Sequence, residues 1–335
     1  MRNEELGIRK CLSVTSHTTF LILNFFLCAF MCIIFSFNSC YRQNVRDNKI
    51  LIAVSIPPQA WFVSQIAGEK ARSLVLVLPG QNPHNYEPGP RQIQGLSSAA
   101  AWILSGSEFE ISLYPKVVSL FPNLLVVDGT EGVRFRTLEE HEDEGHEHSY
   151  LEPQPSPPQA GEGSPLAIDR HTWLGHEPAK ILAAHIRNTL SMLDNANETY
   201  YSERYENVVS MIDDEFDKLK IDLAPLNGRS VFVYHPSFGY FLDEFGIRQE
   251  AVETGGKEPG PRELSKLAAR LNEERAAAVF VQTQFPVNAA RTLAASAGAE
   301  LIGLDPLAED WLENIRRMGR TLEMSALSRT GRAAP

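Results

Sequence analysis

Cysteine is absent from most of the chain. The four cysteines, Cys11, Cys28, Cys32 and Cys40, all lie within the first forty of the 335 residues. The body of the protein therefore has neither a disulfide nor a cysteine-based metal site. A zinc site there must be built from histidine, aspartate or glutamate.

Positive charge is also scarce. Lysine and arginine total 31 against 42 aspartates and glutamates, which gives a net charge of −11. Binding to nucleic-acid phosphates needs a basic surface, so a nucleic-acid partner is excluded. The contents of 43% hydrophobic and 22% charged residues are ordinary for a globular protein. The length predicts about two domains.

One long apolar run is present, at residues 20–37, and the basic residues Arg2, Arg9 and Lys10 precede it. This order is typical of a secretory signal. The run ends in Phe37-Asn38-Ser39-Cys40, which resembles the lipobox of bacterial lipoproteins, where the cysteine is lipidated and becomes the new N-terminus. An uncleaved anchor is the alternative, because the run approaches the minimum length of a spanning helix. Both interpretations predict an extracytoplasmic protein, in the periplasm or at the cell surface, that is tethered to the membrane.

Beyond this leader, strand and helix patterns alternate. Apolar runs predict strands at residues 50–55, 73–78, 101–104, 124–127, 230–234, 249–252, 278–282 and 300–304. Helical patterns between them predict parallel βαβ units with right-handed crossovers. A single apolar stripe predicts one long helix over residues 198–223. The predicted fold class is therefore α/β: lobes at residues 41–194 and 226–335, each with a parallel sheet, are joined by a rigid helix within residues 195–225.

Residues 138–167 interrupt this alternation. Their first part is rich in acidic residues and contains His141, His146 and His148, and their second part is rich in proline. The composition predicts a flexible, solvated insertion. Its histidines are either plain solvated residues or a weak, mobile metal-collecting tract, and these alternatives remain open.

Four candidate metal ligands occupy comparable places. His84 follows the second predicted strand, His235 follows the strand at 230–234, and Asp305 follows the strand at 300–304. His171 lies in the segment at residues 168–174, where the ordered pattern resumes after the insertion. Ligands of open α/β sheets collect at the carboxyl ends of the strands. Three imidazoles and one carboxylate in a cleft between the lobes suit Zn²⁺.

The motifs around these residues resemble those of the metal-binding solute receptors of zinc/manganese ABC importers, the cluster A-I or TroA-like periplasmic binding proteins. The resemblance covers nearly all of the chain after Cys40. Its landmarks are Pro83-His84-Asn85-Tyr86-Glu87-Pro88, Asp169-Arg170-His171-Thr172-Trp173-Leu174, Tyr234-His235-Pro236-Ser237-Phe238-Gly239-Tyr240-Phe241 and Leu304-Asp305-Pro306-Leu307.

This resemblance implies a receptor, not an enzyme, that captures a metal ion and delivers it to an ABC importer permease as a monomer. It places the family's ligands on His84, His171, His235 and Asp305. Manganese receptors of the family tend to carry glutamate at the third position, and imidazole favours zinc. Zn²⁺ is therefore the expected cargo, and Mn²⁺ is the alternative.

Two residues depart from the family pattern. Arg170 replaces the usual proline before the second histidine, and an inward-pointing cation there would disfavour metal binding, so we expect Arg170 to face solvent. His176 is an additional histidine, which we expect at the surface where a helix begins.

Two other protein classes remain as alternatives. A secreted zinc hydrolase would need a general base near the metal, and Glu87 and Glu253 are the obvious candidates, although no His-Glu-x-x-His run exists. A surface adhesin is the second. Substrate turnover tests the hydrolase, and capture of a protein partner tests the adhesin.

The lipobox interpretation predicts that Cys40→Ala abolishes lipid attachment, because no other thiol follows the apolar run. Mass spectrometry of the mature protein and membrane fractionation check this. An unchanged mature mass with full membrane retention would establish the uncleaved anchor instead.

Overall fold

The first half of the chain forms a four-stranded parallel sheet with the order β2-β1-β3-β4. Its strands are β1 (Ile50–Val54), β2 (Ala71–Val75), β3 (Ala101–Leu104) and β4 (Leu125–Asp128). Its helices are α1 (Pro57–Ala67), α2 (Pro90–Leu96) and α3 (Glu108–Leu120). Strands covered on both faces need continuous apolar runs, and β3 is buried throughout. We call the described residues between 49 and 193, which end in α4 (His176–Leu193), the first lobe.

The second lobe repeats this architecture in a parallel sheet of order β10-β9-β7-β8. Its strands are β7 (Ser230–Val233), β8 (Arg248–Ala251), β9 (Ala278–Gln282) and β10 (Glu300–Leu304). Its helices are α6 (Gly239–Asp243), α7 (Pro261–Glu273), α8 (Asn288–Ala297) and α9 (Trp311–Gly331). The predicted class of two α/β lobes with parallel sheets is confirmed.

The lobes are joined by α5 (Glu198–Asp222), a helix of 25 residues. At about 1.5 Å per residue it is roughly 37 Å long. Tyr201, Val208, Ile212 and Phe216 form its buried stripe, as the spacing predicts. The helix packs against α1 and α4 of the first lobe and against α9.

Two tryptophans provide a further connection between the lobes. Trp311 of α9 is fully buried against Phe62 of α1, with ring centroids 5.0 Å apart. Its Nε1 donates to the carbonyl of Trp173 at 2.6 Å, and Trp173 Nε1 donates to the carbonyl of Pro306 at 2.8 Å. This chain of contacts fixes the loop after β10 against the first lobe.

Some predicted boundaries differ from those observed. The strand predicted at 73–78 is β2, Ala71–Val75, although the backbone amides of Leu76 and Val77 still donate to Val54 and Ser55. The last helical pattern of the sequence predicts a helix over residues 310–322, but the observed helix continues nine residues further, to Gly331. Met324 and Leu327 are exposed there, so the apolar periodicity stops while strong helix formers continue the helix.

The computed structural model describes residues 49–138, 150–151, 168–253, 259–285 and 287–331. The predicted leader at residues 1–40 and His141, His146 and His148 lie outside these ranges. The ends of the insertion are close together, because β5 (Phe135–Arg136) pairs antiparallel with β6 (Tyr150–Leu151), and Thr137 bridges to Ile168. Within the described ranges no helix has the length and apolar character that a membrane crossing requires.

His176 begins α4, as expected, but its side chain is only 15% exposed, so the expected surface position is wrong. Its ring stacks on Phe216 of α5 at 4.6 Å, Nε2 donates to Asp213 at 2.7 Å, and Nδ1 lies 3.5 Å from Glu244 after α6. Glu244 raises the pKa of His176, burial opposes this rise, and Asp213 supports it. His176 of the first lobe therefore contacts both the connecting helix and the second lobe, and it carries a positive charge there when it is protonated.

Because the pKa of His176 is raised in the folded protein, its stabilisation is complete below about pH 6.5 and is lost as pH rises through the folded pKa. We expect His176→Gln to lower the free energy of unfolding more at pH 6 than at pH 8.5. Urea unfolding of metal-free protein measures this. His185→Gln on the same helix is the control, because His185 bonds the carbonyl of Glu131 instead of a carboxylate. Equal losses at both pH values would contradict the assignment.

Candidate metal centre

His84 lies in the helical turn Pro83–Asn85, which follows β2 of the first lobe. The Asn82 side chain accepts the backbone amide of His84 at 2.9 Å, and this bond caps the turn. The His84 side chain is 26% exposed, which is more than the side chains of His171 and His235. Its Nδ1 donates to Glu108 Oε2 at 2.9 Å, and Glu108 is the first residue of α3.

His171 immediately precedes the buried turn Thr172–Leu174. Asp169 Oδ1 accepts both its backbone amide, at 3.0 Å, and its Nδ1, at 2.8 Å. The histidine is 5% exposed, and Asp169 is fully buried. The two-residue spacing lets one carboxylate oxygen fix the backbone and the ring together.

His235 comes from the second lobe, two residues after β7. Gln282, at the end of the neighbouring β9, bonds the backbone of His235 twice. Its Oε1 accepts from the His235 amide at 3.2 Å, and its Nε2 donates to the His235 carbonyl at 2.5 Å. Nδ1 donates to Glu253 Oε2 at 2.8 Å, and Phe285 stacks on the ring at 4.4 Å. Strand order in the sheet reverses between β7 and β9, where open α/β sheets bind ligands.

The three histidines share one arrangement. Each Nδ1 faces a carboxylate oxygen at 2.8–2.9 Å, which favours a proton on Nδ1 and leaves Nε2 as the nitrogen available to a metal ion. Potential ligand atoms of His84, His171 and His235 all lie within 4.8 Å of one another. The Nε2 atoms of His84 and His235 are 2.8 Å apart, and tetrahedral zinc separates such atoms by roughly 3.3 Å. This pair would therefore have to move apart by about half an ångström to share a tetrahedral ion.

The charges around the group favour a cation. Burial opposes ionisation of Glu108, but the hydrogen bond from His84 and the charges of His84 and His171 together outweigh it and lower the pKa of Glu108 to about 2. Burial likewise opposes ionisation of Asp169, yet His171 and Arg136 bring its pKa to about 2. Burial lowers the pKa of His235 to about 4, although Glu253 opposes this. At neutral pH the site therefore presents a neutral His235 and at least two carboxylates behind the imidazoles.

Asp305, the fourth predicted ligand, is not a member of the three-histidine group. Its Oδ1 accepts Gln284 Nε2 at 2.8 Å and the amide of Leu307 at 2.9 Å, and Asn314 donates to its backbone carbonyl. These bonds hold the loop after β10 in place. Its role as a ligand remains a prediction.

The expectation that Arg170 faces solvent is wrong. Its side chain is only 14% exposed: Nη1 donates to the carbonyl of Gly106 at 3.0 Å, and Nε lies 3.7 Å from Glu108 Oε1. Glu108 therefore supplies the opposite charge that lets an arginine lie beside His171. The positive charge of Arg170 is balanced by the Glu108 carboxylate instead of by water.

The orienting roles of Glu108, Asp169 and Glu253 were not recognised in the sequence, although Glu253 was considered as a general base. A signal exists for each. Asp169 lies two residues before His171, Glu253 directly follows the strand pattern beside that of His235, and Glu108 begins the helix after β3. Each acid therefore lies near a predicted ligand, at a strand end or at a helix start, but only the fold shows which imidazole ring each acid meets.

Both α/β lobes contribute imidazole nitrogens to one group. This arrangement defines a two-lobed metal-binding receptor. The family model described as zinc-uptake complex component A, periplasmic (ZnuA), matches residues 52–325. The chain belongs to this family, whose members are substrate-binding components of a transport complex. The resemblance inferred from the motifs is confirmed.

Individual relatives agree with this assignment. The high-affinity zinc uptake system protein ZnuA of Yersinia pestis is 26% identical over 267 residues, which cover 76% of this chain and 82% of that protein. The zinc-binding lipoprotein AdcA of Streptococcus pneumoniae strain R6 is 25% identical over 84% of this chain, which spans 54% of AdcA. A crystal structure of ZnuA has a TM-score of 0.74 at 31% identity and covers 83% of this chain and 99% of the other.

We expect His235→Ala to weaken zinc binding by more than the about 10–100-fold that is typical of losing an outer-shell partner. His176→Ala should weaken zinc binding far less, because His176 contacts Asp213 and Phe216 instead of the three histidines. Competition against a chelating indicator measures both. Equal losses in the two variants would mean that the ligand set is misassigned.

Proposed function

We propose that this protein captures Zn²⁺ outside the cytoplasmic membrane and delivers it to the permease of an ABC importer. The observation that carries the proposal is the convergence of His84, His171 and His235 on one point, each with Nδ1 held by a carboxylate. Family membership and the zinc-binding relatives support it. The ligand set proposed is these three histidines with Asp305.

The chemistry of the donors favours zinc over manganese. Imidazole suits zinc, whereas carboxylate and water suit manganese. Asp305 would add one negatively charged oxygen and complete four-fold coordination, which zinc prefers. Because Gln284 and Leu307 hold one of its oxygens, this role requires the loop to move or the other oxygen to turn towards the ion. Asp305→Asn should therefore weaken zinc less than His235→Ala does.

Binding by both lobes gives a route to delivery. His84 and His171 belong to the first lobe and His235 to the second, so a captured ion bridges the cleft. Separation of the lobes would remove one of these three imidazoles and weaken the complex. We propose that docking on the permease produces this separation.

A hydrolytic role is not favoured. Glu253, one of the two candidate bases, is 3% exposed and accepts Nδ1 of His235. Glu87, the other, is exposed to solvent. We propose that the protein is a monomeric receptor without catalytic activity, anchored through lipid on Cys40.

Elemental analysis of the full-length protein in mild detergent, after growth with both metals, tests the proposal. We expect about one zinc per chain, and competitive titration should show zinc displacing manganese. His235→Glu should shift the preference towards manganese, because it replaces an imidazole with a hard oxygen ligand. Preferential manganese binding by the unaltered protein would reverse the assignment of the cargo, and steady hydrolysis of ester or peptide substrates would favour the enzyme.

A further inference from the structure

A buried arginine joins the two lobes next to the metal centre. Arg136 of β5 is 4% exposed in its side chain and lies between two carboxylates. Nη1 donates to Asp169 Oδ2 of the first lobe at 2.8 Å, and Nε donates to Asp243 Oδ2 of the second lobe at 2.9 Å. Both aspartates are buried, with side chains 0% and 7% exposed. The guanidinium therefore balances two buried charges that come from different lobes.

Backbone contacts hold the same residues together. The Arg136 amide donates to the Tyr240 hydroxyl at 3.0 Å, and this hydroxyl donates to the Asp169 carbonyl at 3.0 Å. The Asp169 amide donates to the Arg136 carbonyl at 3.0 Å, which closes the cycle. Helix α6, which carries Tyr240 and Asp243, begins at Gly239, four residues after His235. A Cβ on Gly239 would overlap the Arg136 guanidinium, so the contact between β5 and α6 is close.

Asp169 divides its two oxygens between the arginine and the metal centre. Oδ2 accepts Arg136, and Oδ1 accepts the amide and Nδ1 of His171. A carboxylate held at one oxygen has a defined plane, so Arg136 determines where the other oxygen meets the imidazole. The position of α6 in the second lobe is thereby connected to the orientation of His171 in the first.

We infer that Arg136 is a positioning residue for metal capture, which couples the docking of α6 through Asp243 to the orientation of His171 through Asp169. The inference deepens the proposed metal capture and rests on it. Linkage is reciprocal, so an ion on His171 also strengthens the docking of α6. Asp243 touches none of the three histidines in the contacts described, yet zinc affinity should depend on it.

The experiment compares the full-length protein with Arg136→Met, Arg136→Lys and Asp243→Asn. Zn²⁺ is titrated at constant pH against a chelating indicator. Arg136→Met should lose about 10–100-fold in zinc affinity, the range typical of outer-shell partners. Arg136→Lys should recover part of the lost zinc affinity, because lysine keeps the positive charge but lacks the planar guanidinium that donates to two carboxylates. Asp243→Asn should lose at least about 5-fold, the lower end of typical coupling between sites.

The matched control is Arg316→Met. Arg316 on α9 pairs with the buried Glu215 of α5 at 2.5 Å, so this variant breaks another arginine–carboxylate pair between elements, with a more exposed arginine, away from the group. It should lower the unfolding temperature but leave zinc affinity unchanged. A purely structural role for Arg136 would give the two methionine variants the same affinity.

The second measurement is the nitrogen NMR signature of His171 in metal-free protein. The unaltered protein should show a proton fixed on Nδ1, and Arg136→Met and Asp243→Asn should show a mixture of tautomers. This measurement separates the proposed zinc capture from the positioning role of Arg136. If the unaltered protein does not bind zinc, the proposed function is overturned, but the tautomers of His171 still test the positioning role. Should Arg136→Met fail to fold, Asp243→Asn decides. Unchanged affinity and unchanged tautomers in the folded variants would overturn the inference.

Discussion

A hydrogen bond from imidazole Nδ1 to a carboxylate decides which nitrogen carries the proton and where the ring points. The arrangement occurs three times in this protein, with Glu108, Asp169 and Glu253 as acceptors. Each bond turns an Nε2 lone pair towards the common point and places negative charge behind the ring. Without these bonds three neighbouring imidazoles would have no shared orientation, and a protonated imidazole would compete with a cation. The acceptors are therefore as much a part of the site as the ligands.

These carboxylates in turn depend on contacts that hold the two lobes together. Asp169 and Glu253 are almost completely buried, and a buried carboxylate is tolerated only with partners that satisfy it. Arg136 provides a partner for Asp169 and reaches α6 in the other lobe. Trp173 and Trp311 fix the loop after β10 against the first lobe, and His176 ties α4 to α5. Metal chemistry and lobe packing therefore share residues. A receptor that must hold an ion and later release it gains from this sharing, because movement of the lobes reaches the ligands.

Local patterns in the sequence predicted most of the fold. Strands β3, β9 and β10 have the predicted bounds, because short apolar runs end at clear breaks. Errors occurred where the local signal ended before the element did. Helix α9 continues past its apolar stripe, and Arg170 and His176 looked like surface residues because charge and imidazole usually are. Both are covered by acidic partners that lie far away in sequence: Glu108 precedes Arg170 by 62 residues, and Asp213 follows His176 by 37.

The sequence by itself determined the βα alternation, the long connecting helix and the three histidines beside strand ends or turns. These depend on spacing along the chain: apolar period, proline position and motif. Only the tertiary structure decided which acid meets which imidazole, that Arg136 connects Asp169 to Asp243, and that Asp305 stands outside the three-histidine group. The physical reason is that a hydrogen bond or ion pair acts over about 3 Å in space. Apart from Asp169 and His171, the residues that make these contacts are separated by distances in sequence that no local pattern records.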